Sequence, residues 1–127
     1  MRKAAAVLLL LPVVGLTGCQ EILCPLIGEF GGRFTGDAEG AVMIEVVEGM
    51  DEEDAEASIR LSAPPLDVFG TAVVDCDMGM FSARLETADN PDFGEFSGLL
   101  QESDGSGEWS FFTGESGTWD INKLLDQ

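Results

Sequence analysis

Apolar and polar side chains alternate with a period of two through much of the chain after residue 28. Residues 57–62 interleave alanine, isoleucine and leucine with serine and arginine, and residues 81–86 interleave phenylalanine, alanine and leucine with polar residues. A period of two predicts strands with one buried face. Groups of glycine, proline, asparagine, aspartate and serine separate these runs and predict turns. The pattern predicts seven or eight strands, at about residues 30–36, 40–48, 56–62, 68–76, 79–87, 94–102, 107–113 and 117–122.

The links between these predicted strands are short, and short links favour strands that pair with their sequence neighbours. We therefore predict an all-β fold, a single small antiparallel up-and-down barrel or sandwich of about seven to eight strands. The choice between barrel and sandwich stays open at this point.

A glycine followed two residues later by an aromatic residue recurs five times. The aromatic is predicted to point into the core, and the glycine is predicted to mark the entrance to a strand, where a turn ends. The five copies begin at Gly32, Gly79, Gly94, Gly107 and Gly117, with the aromatics Phe34, Phe81, Phe96, Trp109 and Trp119.

The first residues have a different character. Arg2 and Lys3 precede an almost unbroken apolar stretch over residues 4–16, which ends in Leu16-Thr17-Gly18-Cys19. This stretch is shorter than the ~20 apolar residues that a membrane-spanning helix needs. The order of charge, apolar core, two small residues and cysteine resembles a bacterial lipoprotein signal peptide that ends in its lipobox.

The resemblance implies that Cys19 becomes the new N-terminus and carries a thioether-linked diacylglyceryl group, usually with an amide-linked third chain. Two or three acyl chains hold a protein at a bilayer essentially permanently, whereas one chain binds marginally. Gln20, rather than aspartate, after the cysteine implies an outer-membrane location in the cell envelope. The resemblance divides the chain into a signal peptide (1–18), a lipidated N-terminus with a short tether (19–28) and an acidic β domain (29–127). Two alternatives are an ordinary secretory signal that happens to contain a cysteine, and a cleaved signal whose Cys19 pairs with another thiol. Either would release a soluble protein.

If Cys19 is lipidated, Cys24 and Cys76 are the two remaining thiols. An exported protein meets oxidising conditions, in which two thiols usually pair. We therefore expect a disulfide between Cys24 and Cys76, which would hold the domain close to the bilayer.

The charge balance is strongly acidic. The chain has 24 acidic and 6 basic residues, a formal net charge of −18, and loss of Arg2 and Lys3 with the signal peptide makes it −20. Such a surface repels nucleic acid and anionic lipid head groups and attracts cationic proteins and divalent ions. Nucleic acid is excluded as a partner. The acidity is interpreted either as an adaptation to salt or solubility, or as a docking field for a basic protein.

The chain contains no histidine, which removes the usual general base and the imidazole metal ligands. We expect no enzymatic activity and no cofactor. Hard oxygen ligands for calcium are present in Asp51, Glu52, Glu53 and Asp54, but they lack the spacing of an EF-hand loop. A solvated acidic loop is the simpler interpretation of this run.

Three functions agree with these features. The first is a membrane-anchored, non-catalytic envelope lipoprotein with a structural or general binding role. The second is an inhibitor or binder of a cationic protein such as lysozyme or a protease. The third is a lipocalin-like carrier whose aromatics line a cavity for an apolar ligand, although packing in the core is the simpler role for those rings. The sequence does not indicate which residues bind a partner. Phe112 is predicted to face outward.

Overall fold

Eight antiparallel strands follow one another along the chain and close into a barrel. The structure is a computed structural model and describes residues 24–49 and 53–124. The strands, numbered β1 to β8 in chain order, are Gly28–Gly36, Gly40–Glu48, Asp54–Ala63, Leu66–Asp75, Met80–Glu86, Gly94–Leu100, Asp104–Phe111 and Ser116–Lys123. In this part of the chain, no helix is long and apolar enough to cross a membrane. The predicted all-β fold is confirmed, and the barrel is the form it takes.

The barrel closes because β1 pairs on both of its edges. Phe34 of β1 lies opposite Gly40 of β2 on one side and opposite Trp119 of β8 on the other. Every other strand pairs with its two sequence neighbours, which is the up-and-down order that the short links predict. Closure removes the unpaired strand edges through which open sheets associate.

The eight predicted strands match the observed ones, with small differences at their ends. The first strand begins at Gly28, the last residue of the predicted tether, and the seventh begins at Asp104 rather than at residue 107. The seams between strands are unequal. Ten residue pairs join β3 to β4, whereas three join β4 to β5.

Alternate residues of each strand enter the barrel. In β3 the apolar residues at every second position are buried, while Glu56, Ser58 and Arg60 face outward. Leu26, just before β1, is also buried and joins the same core cluster. The core is therefore the barrel interior together with the segment that leads into β1.

All five aromatics of the glycine–aromatic repeat are buried, as predicted: Phe34, Phe81, Phe96, Trp109 and Trp119. The prediction that each glycine marks a strand entrance is wrong for Gly32 and Gly107, which lie inside β1 and β7. These two glycines are needed for a different reason, since each faces inward beside a large side chain of the neighbouring strand. Gly32 lies opposite Ile121, and Gly107 lies opposite Trp119.

Trp119 gives the clearest case of this fit. Its ring stacks on Phe96 with centroids 4.6 Å apart, and it covers Gly98 of β6 and Gly107 of β7. A Cβ added at Gly98 would lie 2.5 Å from Trp119 Cζ2, and one added at Gly107 would lie 2.8 Å from the same atom. Both distances are too short for carbon atoms. The two glycines thus provide the space that the indole occupies, in the alternation of small and large residues common inside small barrels.

Both indole N–H groups have backbone partners. Trp109 Nε1 donates to the carbonyl oxygens of Thr35 at 2.9 Å and Thr118 at 3.1 Å, and Trp119 Nε1 donates to that of Ser97 at 3.0 Å. A buried polar group without a partner would cost about 1–3 kcal/mol. Because Thr35 and Thr118 belong to β1 and β8, Trp109 also bridges the seam that closes the barrel.

The predicted disulfide is present. Cys24 and Cys76 are bonded across 52 residues of sequence, and both are buried. Cys24 precedes β1, and Cys76 follows β4 in the turn that leads to β5. The bond therefore joins the start of the domain to its middle, at one end of the barrel.

We predict that Gly107→Ala lowers the free energy of unfolding by about 2 kcal/mol, because a methyl group there overlaps Trp119 and the facing backbone. Gly31→Ala is the matched control within β1. Its added Cβ would meet Met43 Sδ at 3.2 Å, the flexible part of an exposed side chain, so we expect a change within about 0.5 kcal/mol. Urea unfolding of the full-length proteins measures both values. Equal effects of the two substitutions would contradict the fit at Trp119.

We predict that the double variant Cys24→Ala/Cys76→Ala loses up to about 4 kcal/mol of stability, because the bond closes a loop of 52 residues in the unfolded chain. Urea unfolding of the variant and of the oxidised protein measures the difference. Cys19→Ala keeps the bonded pair and serves as control. An unfolding midpoint that is the same with and without reductant would show that the bond contributes nothing.

Candidate binding surface

The structure locates only part of the predicted site residues. Cys19, Asp51 and Glu52 lie outside the described residues. Glu53 lies in the turn before β3, and Asp54 is the first residue of that strand. Within residues 24–49 and 53–124, no three His, Cys, Asp or Glu side chains form a group that could hold a metal ion. Calcium binding by the 51–54 run stays a prediction.

The outer wall of the barrel is strongly acidic. Of the 24 acidic residues, all except Glu21, Asp51, Glu52 and Asp126 lie in the described ranges, which leaves twenty there. The same ranges contain four basic residues. The described part of the protein therefore carries a formal charge of −16.

Each of the four basic side chains already has a partner. Three form exposed ion pairs, with nitrogen–oxygen distances of 3.5, 2.8 and 3.3 Å: Arg33 with Glu39, Arg60 with Asp67, and Arg84 with Asp92. Lys123 donates to the carbonyl oxygen of Pro25 at 3.2 Å and lies 5.5 Å from the ring centroid of Phe30. Ion pairs between described residues thus involve three of the twenty acids.

Arg60 is held in the most defined geometry of the four. Its Nε donates to one carboxylate oxygen of Asp67 at 3.0 Å, and its Nη2 donates to the other at 2.8 Å. The hydrogen bond to Asp67, together with the charge of that carboxylate, raises the pKa of Arg60 above its ordinary value. The fork geometry fixes the guanidinium in place and cancels its charge locally.

A concave surface of about 460 Å³ lies on the outer wall around Arg60. We call it the Met43–Phe69 groove, after the two exposed apolar side chains in its lining, which are 45% and 40% exposed. Three exposed carboxylates also line the groove: Glu29 of β1, Glu45 of β2 and Glu86 of β5.

Strand register explains why these residues meet. Met43, Arg60, Phe69 and Glu86 are successive cross-strand partners in β2, β3, β4 and β5. Glu29 and Glu45 lie directly opposite each other in β1 and β2. The groove thus lies along two adjacent rows of outward side chains, which together come from five consecutive strands.

Sequence reasoning did not identify this groove. The signal was present in part, because Met43 and Phe69 occupy outward positions of alternating strands, each next to a buried valine, Val42 or Val68. Phe112, which was predicted to face outward, is 63% exposed, as expected, but it lies at the opposite end of the barrel from the disulfide. Its ring centroid is 5.3 Å from that of Phe93.

The fold and the surface therefore have to be interpreted from this chain alone. Comparison with protein-family models, with curated proteins and with solved structures finds no match for it.

Proposed function

We propose that this protein is a lipid-anchored, non-catalytic binding domain of the bacterial cell envelope whose acidic outer wall binds cationic proteins. The observation that carries the proposal is the charge of the described surface. Twenty carboxylates stand against four cations, and each cation already has a partner within the domain. The remaining carboxylates are available to a basic partner.

Electrostatics of this kind act mainly on encounter and orientation. A surface whose charges have one sign attracts oppositely charged proteins over roughly a Debye length, about 10 Å at 0.1 M salt. Direct ion pairs at the contact then set the orientation of the complex. An inhibitor of a basic enzyme and a general envelope binder both use this step.

The proposed anchor is the lipidated Cys19 that the lipobox resemblance implies. Cys24, where the disulfide begins, is five positions after Cys19 in the sequence. Such a segment spans at most about 18 Å when fully extended. The domain would be held beside the bilayer, with the disulfide end of the barrel nearest to it.

Packing favours binding on the outside of the barrel rather than within it. A lipocalin-like carrier holds its ligand in the interior of the barrel. In the half formed by β5 to β8, the ring of Trp119 lies 4.6 Å from that of Phe96 and 5.8 Å from that of Phe81. Side chains therefore occupy the space that a ligand would need in that half.

We predict that Cys19→Ser abolishes stable membrane association, because the thiol that would carry the acyl chains is removed. Fractionation of cell envelopes measures the distribution, and mass spectrometry of the mature N-terminus detects the acyl groups. The Cys24→Ser/Cys76→Ser variant keeps Cys19 and should stay in the membrane fraction. An unmodified Cys19 in the wild-type protein would contradict the proposed anchor.

We predict that the full-length protein, purified in non-ionic detergent, binds lysozyme and cytochrome c as basic probes. The affinity should fall by at least about tenfold between ~20 mM and ~200 mM salt, because screening weakens the attraction. Calorimetric titration gives the dissociation constants, with serum albumin as an acidic control. The proposal fails if neither basic protein binds at the lower salt concentration.

A further inference from the structure

The Met43–Phe69 groove combines two features that a basic side chain with an apolar stem would recognise. Its carboxylates are Glu29, Glu45 and Glu86, and its exposed apolar side chains are Met43 and Phe69. Building on the proposed function, we propose that this groove is the docking site of the cationic partner and receives an arginine or lysine side chain that projects from it.

The carboxylates of the groove favour the binding of a cation. Glu29 and Glu45 are direct cross-strand partners, and like charges in that position destabilise a sheet. None of the three carboxylates is an ion-pair partner of the four described cations. A guanidinium or ammonium group placed between Glu29 and Glu45 would relieve their repulsion and form charge-assisted hydrogen bonds.

Arg60, the cation that already lies in the groove, does not prevent the binding of a second cation. Arg60 is bound through two nitrogens by Asp67, so the pair adds little net charge. The remaining lining keeps three negative charges from Glu29, Glu45 and Glu86. Arg60 also lies between Met43 and Phe69 in the row of cross-strand partners.

The apolar side chains explain why the partner residue should be long as well as charged. Met43 and Phe69 are each exposed to about two fifths, so the aliphatic stem of lysine or arginine gains by covering them. A cation near the face of Phe69 gains a further cation–π attraction. Methionine adapts its shape to different partners.

Two other concave surfaces lack this combination. The one lined by Val47 and Val73 has a single carboxylate, Glu56. The one between β6 and β8 has two carboxylates, Glu95 and Glu108, and its other side chains are mainly serine and threonine. These surfaces supply matched controls for the groove.

The experiment compares variants of the full-length protein in lysozyme titrations at low salt. Glu29→Gln/Glu45→Gln removes the two paired charges from the groove, and Glu95→Gln/Glu108→Gln removes two charges from the surface between β6 and β8. We expect the groove variant to weaken lysozyme binding by about tenfold or more, and the control by about twofold or less. All four residues face outward, and thermal unfolding verifies that each variant is folded.

A second pair of variants tests the apolar contact. Phe69→Ser should weaken lysozyme binding by about fivefold, whereas Val73→Ser, at a more exposed position of the same strand, should leave it unchanged. Equal losses in both charge variants, or in both apolar variants, would overturn the groove while leaving the acidic wall as the binding determinant. Absence of lysozyme and cytochrome c binding by the wild-type protein would instead remove the proposed function itself.

Discussion

The barrel depends on the fit between large inward side chains and glycines of the adjacent strands. Trp119 occupies the space that two glycines leave open on β6 and β7, and its indole N–H is satisfied by the carbonyl oxygen of Ser97. Trp109 uses its N–H to connect β8 and β1 at the closing seam. A barrel of eight strands has room for side chains but little more. The ring of Trp119 therefore needs small neighbours, which Gly98 and Gly107 provide.

Much of this fold can be predicted from sequence, because strand formation is recorded in local alternation. The run from Ala57 to Ser62 predicts β3, and cysteine number together with the signal-like N-terminus predicts the Cys24–Cys76 bond. Closure is not recorded locally. It depends on the pairing of β1 with β8, whose residues are distant in sequence. For the same reason Gly107 was interpreted as a strand entrance, since its need for space comes from Trp119 on the next strand.

The candidate site is less predictable than the fold. Total charge predicts an acidic wall, but Met43, Arg60 and Phe69 lie on three different strands, and their proximity requires the register between them. A shift of one residue in the pairing register of a strand would turn its outward side chain into the core. The groove thus depends on the pairing register of the strands, whereas the charge around it follows from the amino-acid composition. The two features coincide because no charged residue is buried within residues 24–49 and 53–124, so the acids there lie on the outer face of the strands and in the turns.

The covalent link between residues 24 and 76 also decides how mechanical tension travels through the protein. Tension applied between the chain ahead of Cys24 and the chain after Cys76 passes through the bond, so the segment between the two cysteines forms a closed ring that this tension does not extend. Strands β1 to β4 lie inside this ring, and they supply Met43 and Phe69. Extension would begin after Cys76, at β5, where three residue pairs hold the seam to β4. A partner bound to β1 to β4 would therefore stay on strands that such a pull leaves closed.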